Sequence, residues 1–291
     1  MTSRLGSHAW EVSHNSTSTS ATSSSQALIG YLSRIGTNPA IAECKRALAA
    51  WTAEALARVP SSAVRIVEVG SGLGDDLIAA HALLADNESA LGLEPNADLC
   101  SEAVRRNVSA KVRFETARGE QVLRFVAPAS VAVIRIERVL QHLPIEAVHA
   151  ILSAAAQALH DDGVLICCEP NWLGVQVAIS ADADENRLVT RSFYDLAVNS
   201  TRHSTAGMLL HNWARQHGLE FAERRVFTTT MHTMAETTVF FADYTKLFSP
   251  EASALLLPAL NDGNALLCVP LHCVCFRKAR KGGAATTATS N

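Results

Sequence analysis

The residues best suited to chemistry start at a glycine turn. Val64-Arg-Ile-Val-Glu-Val69 runs directly into Gly70-Ser71-Gly72-Leu73-Gly74, with Asp75 and Asp76 opening an Ala/Leu-rich segment behind it. A strand feeding such a turn and then a helix lets a ligand approach the backbone where any Cβ would clash. Glu94 stands 24 residues after Gly70, in Leu91-Gly-Leu-Glu-Pro95. At the end of a second strand its carboxylate can accept both hydroxyls of a ribose. The spacing is G-x-G-x-G rather than the G-x-G-x-x-G of dinucleotide sites, and Glu68 lies two residues before the first glycine. An acid there repels a pyrophosphate but suits a ligand carrying an ammonium and a sulfonium.

These residues need a particular set of elements to hold them. Asn38 to Val59 carries Ile41, Leu48, Trp51, Ala55 and Val59 at helical spacing, with Pro39 in the first turn and Pro60 at the end. Val64 to Val69 is a β-branched run typical of a buried parallel strand. Strands over Ser89 to Leu93, Val112 to Phe114, Val131 to Ile136 and Val164 to Cys168 alternate with helices. The helices cover Asp75 to about Ala85, Ala97 to Asn107, Glu120 to Phe125 and Pro144 to Leu159, the last stopped by Asp161-Asp162-Gly163. This order predicts an α/β fold: a doubly wound, mostly parallel Rossmann-like sheet with helices on both faces. The first strand should be its centre, where such sheets bind ligands.

The last third reads differently. Leu173 to Thr205 is mixed helix and loop, and Ala206 to His217 is a helix ended by Gly218. Phe221 to Met231 and Leu267 to Phe276 are strands that can close the sheet as an antiparallel edge, with a helical insertion over Glu236 to Leu260. The chain thus divides into a Ser/Thr-rich disordered tail (1–25), an N-terminal helical cap (26–60), a main domain with helical insertions (61–279) and a second disordered tail (280–291).

Together the glycine turn and Glu94 resemble the class I S-adenosylmethionine-dependent methyltransferases, whose first motif reads acidic-x-G-x-G-x-G. Two further segments resemble the small-molecule branch of that family: Arg135-Ile-Glu-Arg-Val-Leu-Gln-His-Leu-Pro144 after the fourth strand, and Asp162-Gly-Val-Leu-Ile-Cys-Cys-Glu-Pro-Asn-Trp172 around the fifth. The resemblance covers about Val64 to Trp172. It implies S-adenosyl-L-methionine as cofactor, held by Glu68, Gly70, Ser71, Gly72, Glu94, Pro95, Arg118, Gly119 and Glu137. Arg118 departs from the family's usual Asp; it can stack on adenine but cannot accept its amino hydrogens.

The implied activity is methyl transfer to an O, N or C atom of a small organic acceptor. His142 is the candidate base, from its place past the fourth strand and its ordinary pKa; packing or capping of the next helix suits it equally. Glu169, Asn171, Trp172, Met208 and His211 are the candidate acceptor wall. A cofactor-binding or scaffold protein without methyl transfer, or a cyclase on the same fold, are the alternatives.

Composition narrows the field. Twenty-five Lys and Arg against 28 Asp and Glu give a net charge of −3, with no basic excess to coat a phosphate backbone. The Asn/Asp-Pro-Pro-aromatic motif that cradles a flipped base is missing after the fourth strand. Apolar residues at 48% supply a full core. No run approaches the roughly 20 apolar residues of a membrane span. Seven cysteines form no secreted disulfide framework. Neither Cys167-Cys168 nor Cys273 with Cys275 has zinc spacing, so all are expected as buried thiols and no metal is expected. The expectation is a cytoplasmic enzyme whose partner is a small-molecule acceptor, not a nucleic acid or a membrane; a homodimer is compatible with it.

Overall fold

The computed structural model describes residues 18–35, 39–241 and 248–279. Helices α1 (Ser18–Ile35) and α2 (Pro39–Arg58) lead into β1 (Val64–Val69) and the short α3 (Asp75–Ala80). Next come β2 (Ser89–Leu93), α4 (Ala97–Arg106), β3 (Val112–Glu115), β4 (Val131–Glu137), α5 (Ile145–Ala158) and β5 (Leu159–Pro170). The last third holds β6 (Gln176–Ala178), α6 (Ala183–Ser200), α7 (Ala206–Arg215), β7 (Leu219–Met231), α8 (Met234–Phe241), α9 (Pro250–Asn261) and β8 (Leu266–Lys278).

The periodicity of α2 translates into packing: Ile41, Leu48, Trp51, Ala55 and Val59 are all buried, as a single apolar stripe requires. The sheet order is β3-β2-β1-β4-β5-β8, with β6 and β7 also paired to β8. The pairs among β1 to β5 are parallel, and every pair made by β8 is antiparallel. β1 therefore sits between β2 and β4, where the order reverses. One core joins α2, α3, α4, α6 and α9 to one sheet face, and the other joins α5 and α7 to the opposite face. Among the described residues no helix is long and apolar enough to cross a membrane.

Three expectations need correction. The Ser/Thr-rich segment was expected to be disordered through Ser25, yet α1 begins at Ser18 and Ser25 is buried. The apolar half of α1 beyond Ser25 gives the helix a face to bury, and its Ser/Thr half continues that helix. The Asp161-Asp162-Gly163 stop lies inside β5, because Leu159 already pairs with Val131 and the irregularity is absorbed between Val131 and Val133. The mixed segment from Leu173 contains β6 and the 18-residue α6. Residues 1–17 and 280–291, expected as tails, lie outside the described residues.

Candidate functional site

The glycine turn follows β1 with Gly70, Gly72 and Gly74 at φ of 70°, 53° and 77°, a region that favours glycine. The N–H groups of Gly70 and Ser71 donate to the Leu93 carbonyl at 2.8 and 3.2 Å, tying the turn to the end of β2. A Cβ at Gly70 would lie 2.4 Å from Val139 Cγ2, so close approach and backbone conformation both demand glycine there. Glu94 is 1% exposed. Its Oε2 accepts the Gly72 N–H and its Oε1 the Asn96 N–H, each at 2.9 Å. Burial pushes its pKa up, against those two bonds. A carboxylate offers about four lone-pair sites, so two remain for hydroxyls. The Ser71 hydroxyl is buried without a partner among the described residues, a polar group that a ligand would satisfy.

Helix α1 lies over this turn. A Cβ at Gly72 would meet Leu32 Cδ1 at 3.4 Å. Ser33 Oγ accepts from Arg106 Nη2 at 3.0 Å, and Arg106 also reaches Asp75 at 3.3 Å. No spacing in the Ser/Thr-rich N-terminus pointed to this cover.

Beside the turn, Glu68, Arg135 and Glu137 share the sheet face covered by α2. Glu68 and Arg135 are register partners, and side-chain alternation places Glu137 with Arg135. Arg135 pairs with Glu137 and lies 3.8 Å from Glu68, while Lys45 bonds Asp76 at 2.7 Å. Burial pushes the Glu68 and Glu137 carboxyls up, although Arg135 opposes it. Glu68 Oε2 is buried without a partner among the described residues. The structure thus brings Glu68 and Glu137 into one cluster with Asp76, Arg135 and Lys45. The next residue, Arg138, is held at φ of 57°, and Tyr31 of α1 acts on it electrostatically. A non-glycine residue there costs on the order of 1 kcal/mol or more, a cost that clusters at functional sites.

Three loops meet at the carboxyl ends of β4 and β5. Trp172 Nε1 donates to Gln141 Oε1 at 2.6 Å, and the Gln141 carbonyl accepts from the backbone of Arg202 and His203 at 2.9 and 3.0 Å. Asn171 Oδ1 and His203 Nε2 are buried without partners among the described residues. Gln141 and His203 were not singled out from sequence; only tertiary contact marks them.

Glu169, expected to line the acceptor, is fully buried. Its Oε1 accepts the N–H groups of Val139 and Leu140 at 2.8 and 2.7 Å. It therefore caps the turn that carries Gln141 and His142, and burial pushes its pKa up to about 8. His142 lies on that turn, but the premise that its pKa suits a base fails. Burial and the Arg138 charge push it down to about 4, so it is a neutral, weak base near pH 7.

Other expected residues make contacts of a different kind. Gly119 is a packing glycine: a Cβ would lie 2.4 Å from Val69 Cγ1 and 3.1 Å from Ile151 Cγ1. The Arg118 side chain is 60% exposed and lies 4.0 Å from Glu120. Pro95 leads into Asn96, whose Oδ1 caps α4. Met208 is 49% exposed, and His211 packs edge-on against Phe221. The buried stripe of α7 is Ala206, Gly207, Leu210, Trp213 and Ala214, so neither belongs to the packed face of that helix.

The sequence matches no protein-family model and no curated protein. Among solved structures it is similar to the YcgJ protein from Bacillus subtilis, with a TM-score of 0.54 and 14% identity over 79% of this chain and 97% of that one. A provisionally assigned methyltransferase from Bacillus halodurans C-125 aligns with a TM-score of 0.50 and 15% identity, over 78% and 97% of the two chains. Geranyl diphosphate C-methyltransferase from Streptomyces coelicolor A3(2) aligns at 0.48 and 12%, over 80% and 76%. The chain has the class I S-adenosylmethionine-dependent methyltransferase fold.

Proposed function

We propose that the chain transfers a methyl group from S-adenosyl-L-methionine to an O, N or C atom of a small organic acceptor. The observation that carries this reading is the Glu94 carboxylate, buried, bonded to the Gly72 N–H and left with free lone pairs beside the unsatisfied Ser71 hydroxyl. Gly70, Ser71, Gly72 and Glu94 hold the adenosyl part, with Pro95 and Arg118 at its border. In the cluster of Glu68, Asp76 and Glu137 with Arg135 and Lys45, Glu68 Oε2 is the acceptor left for an ammonium. The bound cofactor supplies a methyl carbon already activated by its sulfonium, so the protein contributes approach geometry and a dry pocket. Leu32 of α1 covers the turn at Gly72, and Tyr31 acts on Arg138 electrostatically. Glu169 fixes the Val139–Gln141 backbone, Gln141 anchors Trp172, and Asn171 with Trp172 faces the acceptor. Because His142 is a weak base, the acceptors best served are those that need no general base.

Calorimetry with S-adenosylhomocysteine tests the cofactor half. Glu94→Ala is expected to weaken binding by about 1.5–3 kcal/mol, the range for hydrogen bonds to a charged group, and Gly72→Val to abolish it. Equal binding by both variants and the wild type refutes the site. A metabolite screen that follows consumption of S-adenosylmethionine separates methyl transfer from cofactor binding without turnover.

A further inference from the structure

The two cysteine pairs that read along the chain as separate buried thiols each send one member to a common point. Cys168 on β5 and Cys273 on β8 are register partners, and Cys44 of α2 stands over both. The Sγ atoms are 3.5 Å (Cys44–Cys168), 3.1 Å (Cys44–Cys273) and 3.4 Å (Cys168–Cys273) apart. All three thiols are free and buried, and their spacing is well beyond the ~2.05 Å of a disulfide.

We propose that Cys44, Cys168 and Cys273 form a trigonal-pyramidal binding site for a thiophilic trivalent metalloid of the arsenite class. The dimensions of the sulfur triangle decide the class. Taking a bond length of about 2.3 Å, as in zinc thiolates, an ion equidistant from the three sulfurs sits about 1.3 Å out of their plane, with S–ion–S angles of about 93°. Tetrahedral zinc needs angles of about 109° and a fourth ligand, and among the described residues this cluster offers only three ligand groups. An angle near a right angle is the shape of an ion with a lone pair, which a trivalent metalloid has.

Charge points the same way. Arsenous acid has three As–O bonds; three thiols replace them with three As–S bonds, each S–H proton leaves with a hydroxide as water, and no electron is transferred. The product is neutral. Divalent zinc or monovalent copper on three thiolates leaves net negative charge in a fully buried place, which is costly.

The test uses reduced, full-length protein with sodium arsenite under anaerobic conditions, followed by native mass spectrometry and arsenic X-ray absorption. One arsenic per chain with three sulfur neighbours is expected. Cys44→Ser, Cys168→Ser and Cys273→Ser should each lower affinity by roughly 100-fold or more, at least the top of the range for losing an outer-shell partner. Cys100→Ser and Cys275→Ser, also buried thiols, should not change it. Cys44→Ala, checked by circular dichroism and melting, guards against an unfolded variant, since it leaves both sheet cysteines in place. No uptake by the wild type, only two sulfur neighbours, uptake unchanged in Cys44→Ser, or tighter retention of Zn²⁺ or Cu(I) than of arsenite would each overturn the assignment.

Discussion

Replacing Glu169 by Gln tests how the acceptor turn is held. Gln keeps an oxygen to accept the N–H groups of Val139 and Leu140 but removes the ionisable group. The Glu169 carboxyl is raised from an ordinary value of 4.5 to about 8, chiefly by burial. Between those values the folded chain keeps a proton that the unfolded chain has released, so stability falls as pH rises through that window. At about 1.36 kcal/mol per pH unit, the loss from pH 5 to pH 8 amounts to roughly 4 kcal/mol, an upper figure for one buried carboxyl. Glu169→Gln should therefore match the wild type near pH 5 and exceed its stability by several kcal/mol at pH 8. Glu68 and Glu137 titrate with the same sign in both proteins and cancel in the difference. Urea unfolding at the two pH values measures it. A difference that is independent of pH, or a wild type more stable at pH 8, would refute the reasoning: the backbone N–H bonds would then outweigh burial.

Gly70→Ala should destabilise the fold, because its Cβ would lie 2.4 Å from Val139 Cγ2; Val139→Ala in the same chain should restore part of the loss in a thermal melt, and additivity would count against that clash. With its pKa near 4, His142 should contribute no inflection to the turnover profile near neutral pH, so wild type and His142→Ala should share one profile, and His142→Ala should cost less than about tenfold. A loss in the 10²–10⁴ range of acid–base catalysis, with an inflection near neutral pH, would restore it as a base. Met208→Ala should leave turnover unchanged, since the side chain points to solvent; a changed KM for the acceptor would place α7 in the site after all.

Much of this architecture is local in origin and so was legible in the sequence. The β-branched runs at Val64 and Val131 and the shorter strands from Ser89, Val112 and Val164 alternate with helical segments, and that alternation dictates a mostly parallel sheet. The turn at Gly70 and the carboxylate at Glu94 were legible for the same reason: a short stretch of chain sets the geometry of each. Residues whose neighbours are distant in sequence were not. Glu169 reads as a polar residue at a strand end, and only the turn after β4 folding onto it converts it into a buried cap. His142 has an ordinary imidazole until burial and Arg138 shift its pKa. Met208 and His211 belong to a helix whose sequence is apolar enough to allow more than one buried stripe, and the packing of α7 chose the other one. Leu32 covers Gly72, and Cys44 meets Cys168 and Cys273, across separations of 40, 124 and 229 residues. No periodicity carries over such distances, so the cover of the site and the sulfur cluster exist only once the sheet and its flanking helices have closed together.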